Sequence, residues 1–186
     1  REVKGLKQVG MGPSKVAVFT LDEESSRRRG AQWDETVALG MQEIEPEDVE
    51  LLRETLNLSE VAAQASHNLR LELGPSWLDK FLNMKGQEIL ELAKQNVGHQ
   101  QSLNALHRSL NRLKRYDFLK RDVTQDSVQR ILEHLDRGMH VVLEFGRYQG
   151  DLTAYILVAN LLTRRIHERY VTRKEEAEGG HGGEPR

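Results

Sequence analysis

The sequence contains no cysteine, and this absence excludes several kinds of chemistry. A chain without cysteine forms no disulfides, no zinc sites with thiolate ligands and no cysteine nucleophile. The absence is also typical of proteins that work in a reducing compartment. We therefore expect a cytoplasmic location.

The sequence also lacks a long hydrophobic run and a strong excess of one charge. The longest apolar candidate, Ala154 to Leu162, contains Asn160 and is followed closely by Arg164. It is shorter than the roughly 20 apolar residues that a membrane span needs, so we expect no membrane partner. With 27 basic and 29 acidic residues, the formal net charge is −2. Any contact with nucleic acid therefore has to come from a local patch.

The two ends of the sequence indicate a piece of a longer protein. The chain begins at Arg1 rather than at a methionine and carries no signal-peptide pattern. It ends in the Gly-rich charged run "EGGHGGEPR", which is typical of a surface linker. We expect further polypeptide on either side.

Two short runs are typical of β-strands. "KVAVFTL", residues 15–21, follows a Gly/Pro turn, and "HVVLEF", residues 140–145, is a continuous apolar run of strand length. A two-stranded sheet is marginal in water, and parallel strands normally need cover on both faces. We therefore predict that the two runs are adjacent strands of an α/β sheet whose remaining strands lie outside this chain. "DEESSRRRG" after the first strand is interpreted as a polar loop.

Between these strands the pattern is helical. Pro46 begins one helix at a position that tolerates proline, with Val49, Leu52 and Leu56 along one face. Ser59 caps the next helix, which Gly74 ends. Leucines then recur at alternating three- and four-residue spacing, which predicts a helix packed against other helices. They are Leu103, Leu106, Leu110 and Leu113.

Two more helices complete the prediction. Thr124 or Asp126 caps a helix that ends at Gly138. The last helix runs from about Asp151 into the 170s and is apolar nearly all round up to Leu162, so we expect its first half to be buried on more than one side. Its charged second half should leave toward solvent.

The predicted fold class is mainly α, with core strands of a partial α/β fold interrupted by an inserted helical bundle. The predicted organisation has four parts: a core strand and surface loop (1–43), the inserted bundle (44–137), a core strand and buried helix (138–178) and the Gly-rich linker (179–186).

The sequence shows no catalytic machinery of its own. "GMGPSK", residues 10–15, differs from a Walker A loop because Val16 follows the lysine and a strand follows the loop, which favours a plain turn. Glu144 ends a hydrophobic strand as a Walker B acid does, but no second acid follows, which favours a glutamate that bonds a neighbouring loop. His99 and His107 are eight residues apart, where two metal ligands on a helix would be three or four apart. We predict no catalytic, cofactor-binding or metal residues in this chain.

Three arginines are candidates for a subunit interface or a phosphate contact. Arg147 follows the second strand, at the sheet edge where ligands bind in open α/β folds. Arg164 and Arg165 begin a basic run on the helix that comes next. The alternatives are a solvated arginine on a tight turn and a solvated helix face with i,i+4 ion pairs.

The stretch "HVVLEFGRYQGDLTAYILVANLLTRRIHERY" resembles the HerA-like ATPases of the FtsK–HerA superfamily, a group also described as DUF87. The resemblance continues through "KVAVFTLDEESSRRRG", "EIEPEDVELLRETLNLSEVAAQ" and "QDSVQRILEHLDRGMHVVLEFG", and so covers most of the chain. It implies a RecA-like P-loop ATPase core that is interrupted by a helical bundle. On this resemblance the chain corresponds to the segment between Walker A and Walker B.

The resemblance also implies an activity and partners. HerA-like proteins form hexameric rings that translocate or unwind double-stranded DNA with ATP and Mg²⁺, together with a NurA-type nuclease. The phosphate-loop lysine, the hydroxyl that binds Mg²⁺ and the Walker B acids fall outside this segment, so we expect it to be inert alone. The alternative function is a non-enzymatic helical module that binds another protein.

Overall fold

The computed structural model describes residues 13–121, 123 and 126–179. The proposed cap Thr124, the segment 1–12 and the linker residues 180–186 lie outside the described residues. No helix in the described part is long and apolar enough to cross a membrane.

Three parallel strands form a sheet in the order β2–β1–β5. They are β1 (Val16–Thr20), β2 (Glu35–Thr36) and β5 (His140–Glu144). β1 and β5 pair in register, from Val16 opposite His140 to Thr20 opposite Glu144. The predicted adjacency of the two hydrophobic runs is thus confirmed. Together with the helices described below, this small sheet confirms the mainly α, partial α/β fold class.

β5 forms an edge of the described sheet. β1 lies between two neighbours, and its side chains are buried except that of Val18, which is half-buried. β5 has one partner strand among the described residues, and its side chains from Val141 to Glu144 are only half-buried. The sequence did not reveal β2, because a two-residue strand has no periodicity to detect.

Helices occupy most of the chain between β2 and β5. They are α2 (Pro46–Leu51), α3 (Glu60–Leu73), α4 (Trp77–Asn83), α5 (Gly86–Lys94), α6 (Gln100–Asn111) and α7 (Ser127–Asp136). As predicted, Ser59 accepts a hydrogen bond from the Ala62 amide (3.2 Å), and Gly74 ends α3 with a positive φ of 76°. Asp126 caps α7. A second small parallel sheet joins β3 (Leu39–Gly40) to β4 (Leu119–Lys120) across this helical segment.

A single hydrophobic core runs through the sheet and the helices. Its largest fully buried side chains come from β1 and β3, from the residues on either side of α2, from α3, α4 and α6, and from the segment before β4; they are Trp77, Tyr116, Phe19, Phe81, Phe118, Leu39, Ile44, Leu52, Leu56, Leu69, Leu78 and Leu103. The division of the chain at residues 44, 138 and 179 remains a prediction.

Two local predictions were wrong in their details. The expected loop after β1 contains a helix, α1 (Glu23–Arg28), whose first amides are capped by Asp22. α2 ends at Leu51, although Leu52 and Leu56 are buried as their spacing predicted. Short helices were hard to assign because a single turn shows too little of the 3.6-residue period.

The last helix, α8 (Leu152–Gly179), packs on one side only. Its buried face is formed by Ala154, Leu157, Val158 and Leu161, whereas Leu152 and Tyr155 are 59% and 58% exposed. The predicted burial on more than one side is therefore wrong for these two residues within this chain. The second half does leave toward solvent, since the described side chains from His167 onward are exposed.

Candidate functional site at the carboxyl edge of the sheet

The carboxyl ends of β1 and β5 meet at one edge of the sheet because the strands are parallel and in register. Thr20 and Glu144 are opposite each other there, and the chain turns into α1 after one strand and toward α8 after the other. Ligands of open α/β sheets bind outside this edge. We call these residues and the turns that follow them the carboxyl edge.

Glu144 is held by side chains from α1 and the turn after it. The Oγ atom of Ser26, which is fully buried, donates a 2.7 Å hydrogen bond to Glu144 Oε2 and shares a 2.9 Å hydrogen bond with the Thr20 hydroxyl. The guanidinium group of Arg29 pairs with the other carboxylate oxygen of Glu144. Glu144 thus bonds the neighbouring segment after β1, but the predicted loop partner is wrong in part, since Ser26 lies in α1 and Arg29 directly after it.

Asp22 joins the two turns of the carboxyl edge. One carboxylate oxygen accepts from the Ser25 amide (3.1 Å), and the other accepts from the Arg147 amide (3.0 Å). Burial alone would raise the pKa of Asp22, but the hydrogen bonds from Arg147 and Ser25 outweigh it and hold that pKa below its ordinary value. The Asp22 carboxylate is therefore negatively charged at neutral pH, and its hydrogen bonds hold it in place at the carboxyl edge.

Gly146 makes this close approach possible. Its φ is +56°, and a Cβ atom at this position would lie 2.5 Å from the Cβ atom of Asp22. Such a separation is far inside van der Waals contact, so only glycine allows the turn after β5 to pass over Asp22.

The side chain of Arg147 bridges the carboxyl edge and the helical segment, with its Nε atom 3.6 Å from the Asp22 carboxylate. It pairs with the Asp117 carboxylate, donates to the Tyr148 hydroxyl (2.9 Å) and lies over the Tyr148 ring at 5.1 Å. Hydrogen bonds to Tyr148 and Asp117 raise the pKa of Arg147. The side chain is 41% exposed, so one face of the guanidinium remains in contact with solvent.

Arg164 and Arg165 lie elsewhere, about 18 Å along α8 from its start at a rise of 1.5 Å per residue. Arg164 pairs with the buried Asp48 (3.0 Å) and donates to the Glu43 carbonyl (2.6 Å). Arg165 pairs with Glu43 (2.7 Å) and with Asp126 (2.9 Å). The structure thus does not bring these two arginines to Arg147, and their partners belong to the same chain.

Sequence reasoning missed the part that α1 plays. The signal was present, since Asp22 is followed by Glu23 and Glu24 and then by arginines four residues later, a pattern typical of a helix start with i,i+4 ion pairs. Ser26 gave no signal, because a serine in a polar run looks the same whether it is buried or exposed.

The charged groups at the carboxyl edge are Asp22, Arg29, Glu144 and Arg147. No group of three or more His, Asp or Glu side chains there or elsewhere in the described ranges could hold a metal ion. Two clefts lie apart from Glu144 and Arg147: one of about 530 Å³ between α3 and the α5–α6 loop, and one of about 620 Å³ beside Glu35 and Arg130.

Comparison with known proteins assigns the family. The family model described as "Helicase HerA, central domain" (DUF87) matches residues 8–166, which include β1 to β5 and the first half of α8. No curated protein and no solved structure gave a match. The match agrees with the parallel β1–β5 pair and with the helical segment between these strands. On this evidence the chain belongs to the family of the HerA helicase central domain, a family of P-loop ATPases.

Proposed function

We propose that this chain is the segment between Walker A and Walker B of a HerA-like ATPase that translocates or unwinds double-stranded DNA. The observation that carries the proposal is the family match over residues 8–166. In this proposal ATP and Mg²⁺ are bound by the whole protein, which forms a hexameric ring and works with a NurA-type nuclease. The segment contributes core strands and the helices between them.

Among the described residues β5 has a partner strand on one side only, and this supports the proposal that the sheet continues in further polypeptide. In this proposal β5 and α8 would be the first two parts of a β–α–β unit, whose third strand lies parallel to the first and is reached by a right-handed crossover. β1 already occupies one side of β5, so a third strand has the other side available. Half-buried Val141, Val142 and Leu143 would gain cover from such a neighbour.

A subunit contact of Arg147, Arg164 or Arg165 remains part of the proposal. Arg147 is the best placed of the three, because it lies at the carboxyl edge and is 41% exposed, against 27% for Arg164 and 20% for Arg165. The partly exposed guanidinium of Arg147 could meet a phosphate or a carboxylate of a neighbouring subunit.

The test is ATP hydrolysis by the full-length protein, with and without double-stranded DNA, beside the 186-residue chain alone. We expect DNA-stimulated turnover by the full-length protein and none by the chain, because no Walker A or Walker B motif is present in its sequence. Full-length R147A should lose assembly or turnover in the same assay, with R121A as the matched control, since Arg121 pairs with Asp79 within the helical segment. A full-length protein that hydrolyses no ATP would contradict the proposal.

A helical interaction module is the second candidate. It is favoured by the single hydrophobic core that joins the sheet to the helices, because such a core is typical of a unit that folds alone. A cooperative melt of the isolated chain, combined with an inactive full-length protein, would support this candidate over the ATPase.

A further inference from the structure

Two arginine–aspartate pairs cross between the carboxyl edge and the end of the helical segment. We call residues 112–120, which follow α6 and end with β4, the return segment, and residues 145–151, which join β5 to α8, the β5–α8 turn. Arg115 of the return segment pairs with Asp151 of the turn at 2.6 Å. Arg147 of the turn pairs in the opposite sense with Asp117 of the return segment. Each segment therefore supplies one cation and one anion to the other.

A tyrosine next to each arginine repeats this exchange. Arg115 lies 4.9 Å from the ring centre of Tyr116, whose hydroxyl donates to Asp151 Oδ1 at 2.9 Å. Arg147 lies 5.1 Å from the ring centre of Tyr148, whose hydroxyl accepts from the Asp117 amide at 3.1 Å. The two halves of the contact thus use the same residue types in reciprocal positions, and we call these six residues the reciprocal clamp.

The two tyrosine rings of the clamp are buried and pack against Phe118. Phe118 stacks on Tyr116 with ring centres 5.2 Å apart and meets the edge of Tyr148 at 5.1 Å. All three rings are buried, whereas the guanidinium groups of Arg115 and Arg147 are 49% and 41% exposed. The aromatic rings fix the positions of the two backbones, and the ion pairs close the contact on the solvent side.

The two charged clamp residues of the β5–α8 turn, Arg147 and Asp151, also bond to the start of a helix or to its cap. The Arg147 amide binds Asp22, which follows β1 and caps α1. Asp151 also accepts from the Ala154 amide at 3.1 Å and so caps α8. A shift of the return segment would therefore pull on the turn after β1, on the turn after β5 and on the start of α8.

We infer that the reciprocal clamp couples the return segment to the carboxyl edge, so that a displacement of either one is transmitted to the other. Its meaning for turnover rests on the proposed function: a change at the carboxyl edge during ATP hydrolysis would reach the helical segment through the clamp. The coupling itself is a property of the chain without nucleotide or DNA.

Hydrogen exchange of single amides in the 186-residue chain, measured by NMR, tests the coupling. The variant D117N removes a carboxylate that is 70% exposed and leaves the Asp117 backbone in place. We expect the exchange rates of the turn amides of Arg147, Tyr148 and Asp151 to rise about threefold, the size expected for one half-exposed ion pair. These amides are hydrogen-bonded in the folded chain, so their exchange reports the opening of the turn.

The variant D79N is the matched control, because Asp79 pairs with Arg121 at 2.6 Å within the helical segment and does not touch the turn. R115Q, on the same side as Asp117, should raise exchange at the α8 amides of Ala154 and Tyr155. Turn amides that exchange at the parent rate in D117N, or equally fast in D79N, would overturn the inference. Since no nucleotide is present, this outcome would leave the proposed function untouched.

Discussion

At the scale of single residues, the carboxyl edge depends on a few positions where the surrounding atoms permit only one type of residue. Gly146 is the clearest case, because both its positive φ and its closeness to Asp22 require the absence of a side chain. Ser26 is another, since its buried hydroxyl is the link between Thr20 and Glu144. Changes at such positions test the geometry directly.

The variant G146A should destabilise the chain by about 2 kcal/mol or more, because the new methyl group would meet the Asp22 side chain and the backbone would remain at an unfavourable φ. G30A is the control: Gly30 has a similar φ of +65° but nothing within 4 Å of the added Cβ atom. The unfolding free energy of G30A should fall by about 1 kcal/mol, because only the unfavourable φ contributes. Urea unfolding measures both values, and equal losses would contradict the close approach of the turn to Asp22.

At the scale of secondary structure, the sequence pattern predicted the longer helices and strands. It did not predict features that depend on which parts of the chain pack together. β1 and β5 were predictable as short apolar runs of strand length, and the longer helices because caps such as Ser59 and stops such as Gly74 are local signals. The exposed side of α8 was not predictable, because a run of apolar residues does not tell which of its faces meets a neighbour. The same holds for Arg164 and Arg165, whose partners lie more than a hundred positions earlier or, for Asp126, at the cap of α7.

α8 is fixed to α2 by a buried ion pair, and R164A should show its contribution to stability. Asp48 is 1% exposed, and without Arg164 its carboxylate would keep Asn160 and the Glu45 amide as its partners among the described residues. Breaking a buried pair from one side typically costs 3–5 kcal/mol, and we expect about 2–4 kcal/mol here because those bonds remain.

The control for this prediction is R169A, which removes an arginine that is 51% exposed and 3.5 Å from Asp126. Its unfolding free energy should change by less than about 1 kcal/mol. If both variants unfold at the same urea concentration as the parent, the Arg164–Asp48 pair adds no stability. If R164A does lower stability, an assembly defect of this variant in the full-length protein reports folding as well as contact.

At the scale of the whole molecule, several carboxyl groups link stability to pH. The pKa is lowered for Asp22, Glu35, Asp79 and Asp126. For Asp79 the largest cause is the hydrogen bond from Arg121; for the other three, burial would raise the pKa but is outweighed by hydrogen bonds and nearby positive charges. In acid the unfolded chain therefore binds more protons than the folded chain.

The sign of the effect follows from these lowered values. The contribution of these four carboxyl groups to the free energy of unfolding should be fully present above their unfolded pKa values of about 4. It should be lost as the pH falls through their lower folded-state pKa values. Urea unfolding at pH 7, 5, 4 and 3 should show a small loss of stability between pH 7 and 5, because burial lowers the pKa of His107, and a steeper decline below about 4. D22N should be less stable than the parent at pH 7 but should decline less steeply in acid. Parallel pH curves for the two proteins would contradict the role of Asp22.

The pairing of β1 with β5 also has a consequence for how the chain folds. Val16 pairs with His140, so the sheet closes only after the entire helical segment has been synthesised and its ends have met. Helix contacts such as those of α3 with α6 span far fewer residues and can form first. We expect the helices to gain their structure early in refolding and the β1–β5 pairing to form last, so that β1 has an open edge, prone to wrong partners, until β5 pairs with it.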